Sequence, residues 1–210
     1  MKSFCIHTKN LKKTADRVLI NNLNFTAYSG EIHAIIGNNG EGKTVFATLL
    51  SGIREATSGN IFLEGQELHI TDVSSAQRYG IYMLQQEQVL FPDLSIRDNL
   101  IAGNEHFLKQ SLWAPSRHTI DKACLEQLRK FGLENLDLNA SIQKTTAYEK
   151  LIIQLCRILI CQPKVLILDE PATCLTPREL RKLFEFLKEY KKDTVIILIT
   201  HNYSLLLQYC

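Results

Sequence analysis

The sequence has no strong excess of charge of either sign. It contains 24 lysine and arginine residues against 22 aspartate and glutamate residues, which gives a formal net charge of +2. A nearly balanced charge creates no global field that would draw the chain to nucleic acid or to a lipid surface. We therefore expect no nucleic-acid partner. The net charge says little about any other class of partner.

The sequence also lacks long apolar runs and paired cysteines. Its longest aliphatic runs, "VLIL" and "VIILI", are far too short to cross a bilayer, and the N-terminal "MKSFCIHTKN" lacks the apolar core of a signal peptide. Its six cysteines form no CxxC pair, and several lie in apolar runs, where cysteine behaves as a small hydrophobic residue. A reducing cytosol is the expected environment, and any link to a membrane would come through a partner.

The pattern along the 210 residues predicts one α/β domain with two lobes. "FCIHT" and "LNFTAY" indicate strands, as do the later segments "IHAIIG", "GNIFLEG" and "GIYML". A helical middle third follows, from about Ser95 to Pro163. The strand "VLIL", the helix "PRELRKLFEFLKEY", the strand "TVIILI" and a last short helix complete the chain. Continuous aliphatic strands that alternate with helices are typical of a parallel sheet covered on both faces.

The stretch "GNNGEGKT" matches the phosphate-loop pattern and lies between a strand and a helix. Its glycines allow the backbone N–H groups to point inward at phosphate oxygens, at the positive end of the following helix. Lys43 supplies a cation for the terminal phosphates, and the Thr44 hydroxyl is a magnesium ligand. The loop consists of Gly37, Asn38, Asn39, Gly40, Glu41, Gly42, Lys43 and Thr44. An ordinary glycine-rich turn is the alternative, and the loop alone fits a kinase, a GTPase, a helicase or a transporter ATPase.

The stretch "VLILDEP" adds two carboxylates at the end of a buried strand. Asp169 is placed to bind magnesium near the phosphate loop, and Glu170 is placed to polarise an attacking water. Two acids in this position indicate hydrolysis. A solvated turn is the alternative for this Asp-Glu-Pro sequence.

These motifs, together with "TH" after the final strand and a glutamine after "GIYML", resemble those of ATP-binding cassette (ABC) ATPases. The resemblance covers essentially the whole chain, in the order of the family. It implies an α/β P-loop NTPase with a mostly parallel core sheet, an N-terminal antiparallel β subdomain and a helical subdomain. It places the core and β subdomain at about residues 1–84 and 162–210, and the helical subdomain at about 85–161, within a single domain of residues 1–210. ATP and Mg²⁺ are the implied cofactors.

The resemblance assigns further site residues. Gln86 is similar to the family's Q-loop glutamine, which touches magnesium, and Gln85 is its nearest rival. His201 is similar to the switch histidine that contacts the terminal phosphate; by itself it would also fit a half-buried core position. The family often stacks an aromatic on adenine, but the aligned "KTADRVLI" has none. Either the base is bound weakly, or the side chains of Arg17 or Val18 contact it.

The segment "KTTAYEK", residues 144–150, aligns with the family's signature loop. In the family this loop holds the terminal phosphate of the ATP that the partner domain binds. Thr146 keeps a hydroxyl where the family has serine. Tyr148 replaces glycine and adds bulk, and Glu149 adds negative charge beside an anion. Thr146 and Glu149 also form a capping-box pattern, which would start a helix whatever its function, and the two interpretations are compatible. The departure from the signature predicts an asymmetric pair of ATP sites.

The segments "GIYMLQQEQVLFPDLSIRDNLIAGNE" and "TCLTPRELRKLF" are most similar to the ATPases of ribose- and galactose-type sugar importers. This resemblance implies ATP hydrolysis coupled to import, at the cytoplasmic face of the cell membrane. It also implies a second ATP-binding domain, a transmembrane permease and, indirectly, an extracellular solute-binding protein as partners. Because the family continues beyond the position of Cys210, we expect a truncated chain or half of a tandem one. A nucleotide-gated subunit of low turnover and a soluble ABC ATPase without a transport role remain as alternatives.

Overall fold

The computed structural model describes residues 4–87, 89–103, 116–171 and 175–202. Within these ranges the chain forms two compact units. The first unit comprises residues 4–84, 163–170 and 187–202, and the second comprises the described residues of 85–162 and 171–186. A membrane crossing needs a longer and more apolar helix than any found in the described residues.

The described residues form eight strands, six α-helices and two short 3₁₀ helices. The strands are β1 (Cys5–Thr14), β2 (Val18–Tyr28), β3 (Ile32–Ile36), β4 (Ser58–Leu63), β5 (Gln66–Leu68), β6 (Ile81–Leu84), β7 (Val165–Asp169) and β8 (Val195–Thr200). The α-helices are α1 (Lys43–Leu50), α2 (Val73–Arg78), α3 (Ile96–Ile101), α4 (Arg117–Arg129), α5 (Ala147–Leu159) and α6 (Pro177–Tyr190). Short 3₁₀ helices cover Ile142–Lys144 and Lys191–Asp193.

The first unit contains a parallel sheet in the order β3-β8-β7-β6. Every residue of β7 and β8 is buried, as their continuous aliphatic sequences predict for strands covered on both faces. Because the strands are parallel, their carboxyl ends meet at one edge, where Ile36 pairs with Thr200 and Asp169 pairs with Ile199. This edge carries the predicted phosphate loop and both predicted acids.

An antiparallel sheet in the order β2-β1-β4-β5 completes the first unit. Its strands are longer than the short patterns indicated, since β1 continues through Lys12 and Lys13 with register shifts against its neighbours. Apolar residues of both sheets and of α1 share one core, which includes Leu11, Phe46 and Ile197. The predicted combination of a parallel core sheet with an antiparallel β subdomain is therefore confirmed.

The second unit is helical in the described residues, as the periodicity of the middle third predicts. Hydroxyl residues start three of its helices by accepting a backbone N–H three positions later: Ser95 for α3, Ser116 for α4 and Thr146 for α5. The helix α5 contributes buried aliphatic residues and contacts both α3 and α4. The short helix α2, in the first unit, was not predicted, and the predicted last helix lies outside the described residues.

Candidate functional site

The phosphate-loop sequence joins β3 to α1, as its pattern requires. Gly42 is the N-cap of α1 and has φ 92°, a left-handed conformation that costs glycine nothing. A Cβ at this position would lie 3.0 Å from the carbonyl oxygen of Leu19, at the start of β2. Space and backbone conformation therefore both select glycine here, and the loop packs directly on the antiparallel sheet.

Lys43 folds back over the loop. Its Nζ donates to the carbonyl oxygens of Gly37, at 2.6 Å, and of Asn38, at 2.7 Å. Two carbonyl partners hold the ammonium group above the loop without neutralising it, because neither is an anion. A positive charge is thus positioned at the N-terminus of α1, where the helix dipole also favours an anion.

Glu41 likewise turns back toward the start of the loop. Its Oε2 accepts the backbone N–H of Asn38 at 2.8 Å, and its Oε1 accepts the Asn38 side-chain Nδ2 at 2.9 Å. These bonds lower the pKa of Glu41, the side-chain bond from Asn38 more than the backbone one, with a smaller contribution from the charge of Lys43. The carboxylate is therefore ionised at neutral pH, and the loop contains an anion of its own.

Asp169 ends β7 and is only 2% exposed. Burial raises the pKa of its carboxyl group, and this effect is opposed by a hydrogen bond with the Thr44 side chain. Its Oδ1 is buried and has no hydrogen-bond partner among the described residues. An unpaired buried carboxylate oxygen beside a threonine hydroxyl matches the oxygen ligands that Mg²⁺ takes. The pair predicted from the sequence as magnesium ligands, Thr44 and Asp169, is thus brought together.

Glu170 follows Asp169 and has φ 49°, a conformation in which a residue other than glycine is strained. Its backbone N–H donates to the carbonyl oxygen of Ile199 at 2.9 Å. Its Oε1 lies 2.7 Å from Nδ1 of His201, and its Oε2 accepts from the Thr200 hydroxyl at 3.3 Å. The structure therefore brings together the two predicted catalytic residues, Glu170 and His201.

Thr200 was missed by the sequence interpretation. The signal available was a hydroxyl residue at the end of the aliphatic run "VIILI", directly before His201. It is 1% exposed, donates to Glu170 and accepts the backbone N–H of Asn202 at 3.1 Å. It therefore fixes the Glu170 carboxylate from a second direction.

The remaining predicted site residues are Gln85, Gln86, Arg17 and Val18. Gln85 and Gln86 are exposed and belong to the second unit, so the magnesium role of Gln86 stays a prediction. Val18 is 53% exposed and adjoins Leu19, whose carbonyl oxygen approaches Gly42. Of the two residues considered for adenine, Val18 thus offers an apolar surface next to the loop.

The signature-like segment starts α5 with a complete capping box. The Thr146 hydroxyl accepts the Glu149 N–H at 3.2 Å, and the Glu149 carboxylate accepts the Thr146 N–H at 2.7 Å. Tyr148 is buried in the second unit, where its hydroxyl donates to the carbonyl oxygen of Phe131 at 3.5 Å. Burial raises the pKa of Tyr148 to about 12, assisted by the charge of Glu179. The bulk of Tyr148 therefore lies inside the unit, and the group at the helix start is the Glu149 carboxylate.

Comparison with known proteins agrees with this arrangement. The sequence profile of the ABC transporter family matches residues 20–173, more than two thirds of the chain. A ribose import ATP-binding protein of Clostridium perfringens (strain 13 / Type A) is 32% identical over 196 residues, which cover 91% of this chain and 38% of that protein. The same-named protein of Caldanaerobacter subterraneus subsp. tengcongensis is 30% identical over 200 residues, covering 95% of this chain and 40% of the relative. The chain thus spans about two fifths of these relatives.

Solved structures share the fold at lower identity. An ATP-binding cassette of an ABC transporter in its ADP conformation superposes with a TM-score of 0.82 at 22% identity, covering 98% of this chain and 84% of that one. A dimeric cassette in a post-hydrolysis state, bound to ADP and Pi, gives a TM-score of 0.81 at 20% identity, covering 95% and 89% of the two chains. The P-loop NTPase fold expected from the sequence is therefore confirmed.

Proposed function

Because the chain belongs to the ABC transporter family, we propose that it binds and hydrolyses ATP to power an importer, and that the imported substrate is a sugar. The observation that carries hydrolysis is the Glu170 carboxylate, held by His201 and Thr200 beside the unpaired Oδ1 of Asp169. Sugar as the substrate class is supported by the ribose import relatives, at 30–32% identity.

The loop supplies the binding energy for the phosphates. The backbone N–H groups at the start of α1 and the Lys43 ammonium face negative charge, and the positive end of the helix dipole strengthens both. Thr44 and Asp169 would hold Mg²⁺, which neutralises charge on the β- and γ-phosphates when bound. Asp169 then gains the partner that its buried Oδ1 lacks.

Glu170 acts as the general base in this proposal. Its carboxylate accepts a proton from the water that attacks the terminal phosphate, a role worth about 10²–10⁴-fold in rate. The hydrogen bond with His201 orients the carboxylate, and the other imidazole nitrogen remains to contact the terminal phosphate. Thr200 limits rotation of the same carboxylate from the opposite oxygen.

A permease partner is supported by an apolar surface in the second unit. Val89, Phe91 and Leu94 are 47%, 46% and 39% exposed. The segment that carries them is fixed by Asn99, a fully buried residue whose amide accepts the Phe91 N–H at 2.8 Å and donates to the Phe91 carbonyl at 3.0 Å. Arg157 donates to the Val89 carbonyl at 3.0 Å. A segment held by these hydrogen bonds, with exposed apolar side chains, suits docking of a short helix from a permease.

A second ATP-binding domain completes the proposed assembly. In the family, the signature loop of one domain faces the nucleotide of the other, and here Glu149 already pairs with the backbone N–H that begins α5. A carboxylate at this place repels a terminal phosphate. The ATP bound by this chain therefore needs a signature loop from a non-identical domain, and a pair of identical chains would turn over slowly. The capped signature also favours the second candidate, a nucleotide-gated subunit of low turnover.

The test combines turnover with permease association, in the full-length natural protein co-expressed with the permease encoded beside it. We expect magnesium-dependent phosphate release and co-purification of the two proteins. Phe91→Asp should abolish co-purification and leave ATP binding unchanged, whereas Val73→Asp, at a similarly exposed apolar residue (41%) of the first unit, should change neither. ATP binding without phosphate release would favour the low-turnover subunit. Turnover without permease association would favour a soluble ATPase, and absence of ATP binding would refute the proposal.

A further inference from the structure

The carboxylate of Glu41 occupies donors of the phosphate loop. One oxygen accepts the Asn38 backbone N–H at 2.8 Å, and the other accepts the Asn38 side-chain amide at 2.9 Å. Charged acceptors form the stronger class of hydrogen bonds, and a phosphate is a ligand of the same kind. The loop therefore binds an internal anion through groups that lie at the start of its own sequence.

The position of this carboxylate depends on Gly37. A Cβ on Gly37 would lie 2.3 Å from Glu41 Oε2, well inside the contact distance of the two atoms. Gly37 does not have a left-handed backbone conformation, so alanine fits its backbone and only the space is lacking. The obstructing atom is the end of a flexible side chain, which can rotate away. Gly37 thus leaves the space that the Glu41 carboxylate fills.

Lys43 is engaged at the same end of the loop. Its Nζ donates to the carbonyl oxygens of Gly37 and Asn38, the residues that adjoin the Glu41 carboxylate. An arriving phosphate must draw the ammonium toward itself while it stands close to the negative charge of Glu41. The Glu41 carboxylate and a bound phosphate would therefore be close to each other and to the Lys43 ammonium.

We propose that the Glu41 carboxylate is an intramolecular competitor of the nucleotide phosphates and sets the affinity of this loop for ATP. The inference rests on the proposed function, because it concerns the same site. ATP binds after Glu41 rotates away from Asn38, and the affinity is lowered by the fraction of molecules in which the carboxylate is seated. Since Glu41 and Asn38 are exposed, solvent screening keeps the effect modest, about two- to fivefold in Kd.

Two substitutions remove the carboxylate from the loop in different ways. Glu41→Ala deletes it, and Gly37→Ala displaces it while leaving the charge of the protein unchanged. We expect Glu41→Ala to bind ATP about two- to fivefold more tightly than the parent protein, with EDTA present to exclude divalent cations. Tripolyphosphate, which has no base, should show the same gain. Glu55→Ala removes an exposed carboxylate beyond the far end of α1 and should leave both Kd values unchanged.

The double variant distinguishes competition from two unrelated effects. If Gly37→Ala acts by displacing Glu41, its effect on Kd is more favourable in the parent protein than in the Glu41→Ala background. The inference would be overturned if Gly37→Ala changed Kd equally in the two backgrounds, or if Glu41→Ala did not lower Kd. In either case ATP binding by the parent protein would stand. If neither the parent nor any variant binds ATP or tripolyphosphate, the proposed function fails and the inference fails with it. Thermal unfolding of each variant without ligand verifies that all are folded.

Discussion

Nδ1 of His201 lies 2.7 Å from Oε1 of Glu170, so the residue after β8 is bonded directly to the residue after β7. Both strands end at the same edge of a parallel sheet, and each residue is the first one beyond its strand. Sheet register therefore positions the pair, and neither side chain needs a long loop to reach the other. The Glu170 carboxylate is oriented before any ligand arrives.

Replacing Glu170 should separate ATP binding from hydrolysis. We expect Glu170→Gln to lower phosphate release by about 10²–10⁴-fold, because an amide cannot accept the proton of the attacking water. ATP binding should persist, and the variant should retain unhydrolysed ATP after gel filtration. Glu189→Gln, which changes an exposed glutamate of α6, provides the matched control. Equal phosphate release by the Glu170→Gln variant and the parent would contradict the role of Glu170 as general base.

An aromatic residue at position 18 should strengthen binding of the base. Val18 is exposed beside the loop and offers a small apolar face, whereas an aromatic ring stacked on a base contributes about 1–3 kcal/mol. We expect Val18→Tyr to lower the Kd for ATP by about tenfold. Tripolyphosphate affinity, measured in parallel, should not change. If the variant binds tripolyphosphate more tightly, or does not bind ATP more tightly, adenine does not lie against residue 18.

Substitutions at Tyr148 should report on stability more than on catalysis. Tyr148→Gly removes a buried aromatic side chain and should cost about 3–5 kcal/mol in the free energy of unfolding, measured by urea titration. Tyr148→Phe keeps the ring and loses only a long hydrogen bond of 3.5 Å, so it should cost less than about 1 kcal/mol. A stable Tyr148→Gly variant would contradict the burial of this side chain.

The Tyr148 hydroxyl also predicts a pH dependence. Its pKa is raised from 10.0 to about 12 by burial, so the folded state holds the proton more tightly than the unfolded state. The corresponding stability is fully present below pH 10 and is lost as the pH rises toward 12. Between pH 8 and pH 11 the parent should lose about 1 kcal/mol of unfolding free energy relative to Tyr148→Phe. If the difference in unfolding free energy between the two proteins is the same at pH 8 and pH 11, the raised pKa of Tyr148 is refuted.

The parts of the fold that could be predicted are those with a local cause. Val165–Leu168 is a continuous aliphatic run and forms the fully buried β7. The Thr146 and Glu149 side chains are three positions apart, and they form the capping box that this spacing predicts. Pro177 begins α6, as its missing N–H favours. In each case the determining contacts lie within one turn or one strand.

The parts that could not be predicted depend on residues distant in sequence or on a choice of rotamer. Tyr148 is buried and its hydroxyl reaches the carbonyl oxygen of Phe131, 17 positions earlier, and no local pattern reports that direction. From its residue type, Glu41 is expected to be a solvated surface charge. Only the conformation of the loop brings its carboxylate into hydrogen-bond contact with Asn38. The role of Thr200 likewise appears only when β7 and β8 are placed side by side.

Because Glu170 has a left-handed backbone conformation, losing its side chain would affect the stability of the fold much less than the proposed activity. A residue with φ 49° is held against its conformational preference, and glycine in its place would relieve about 1–2 kcal/mol of strain. That relief offsets much of what is lost with the side-chain hydrogen bonds to His201 and Thr200. A chain that has lost this proposed general base would therefore express, purify and melt like an active one. Selection for folding alone therefore does not preserve this glutamate, and under the proposed function its retention depends on turnover.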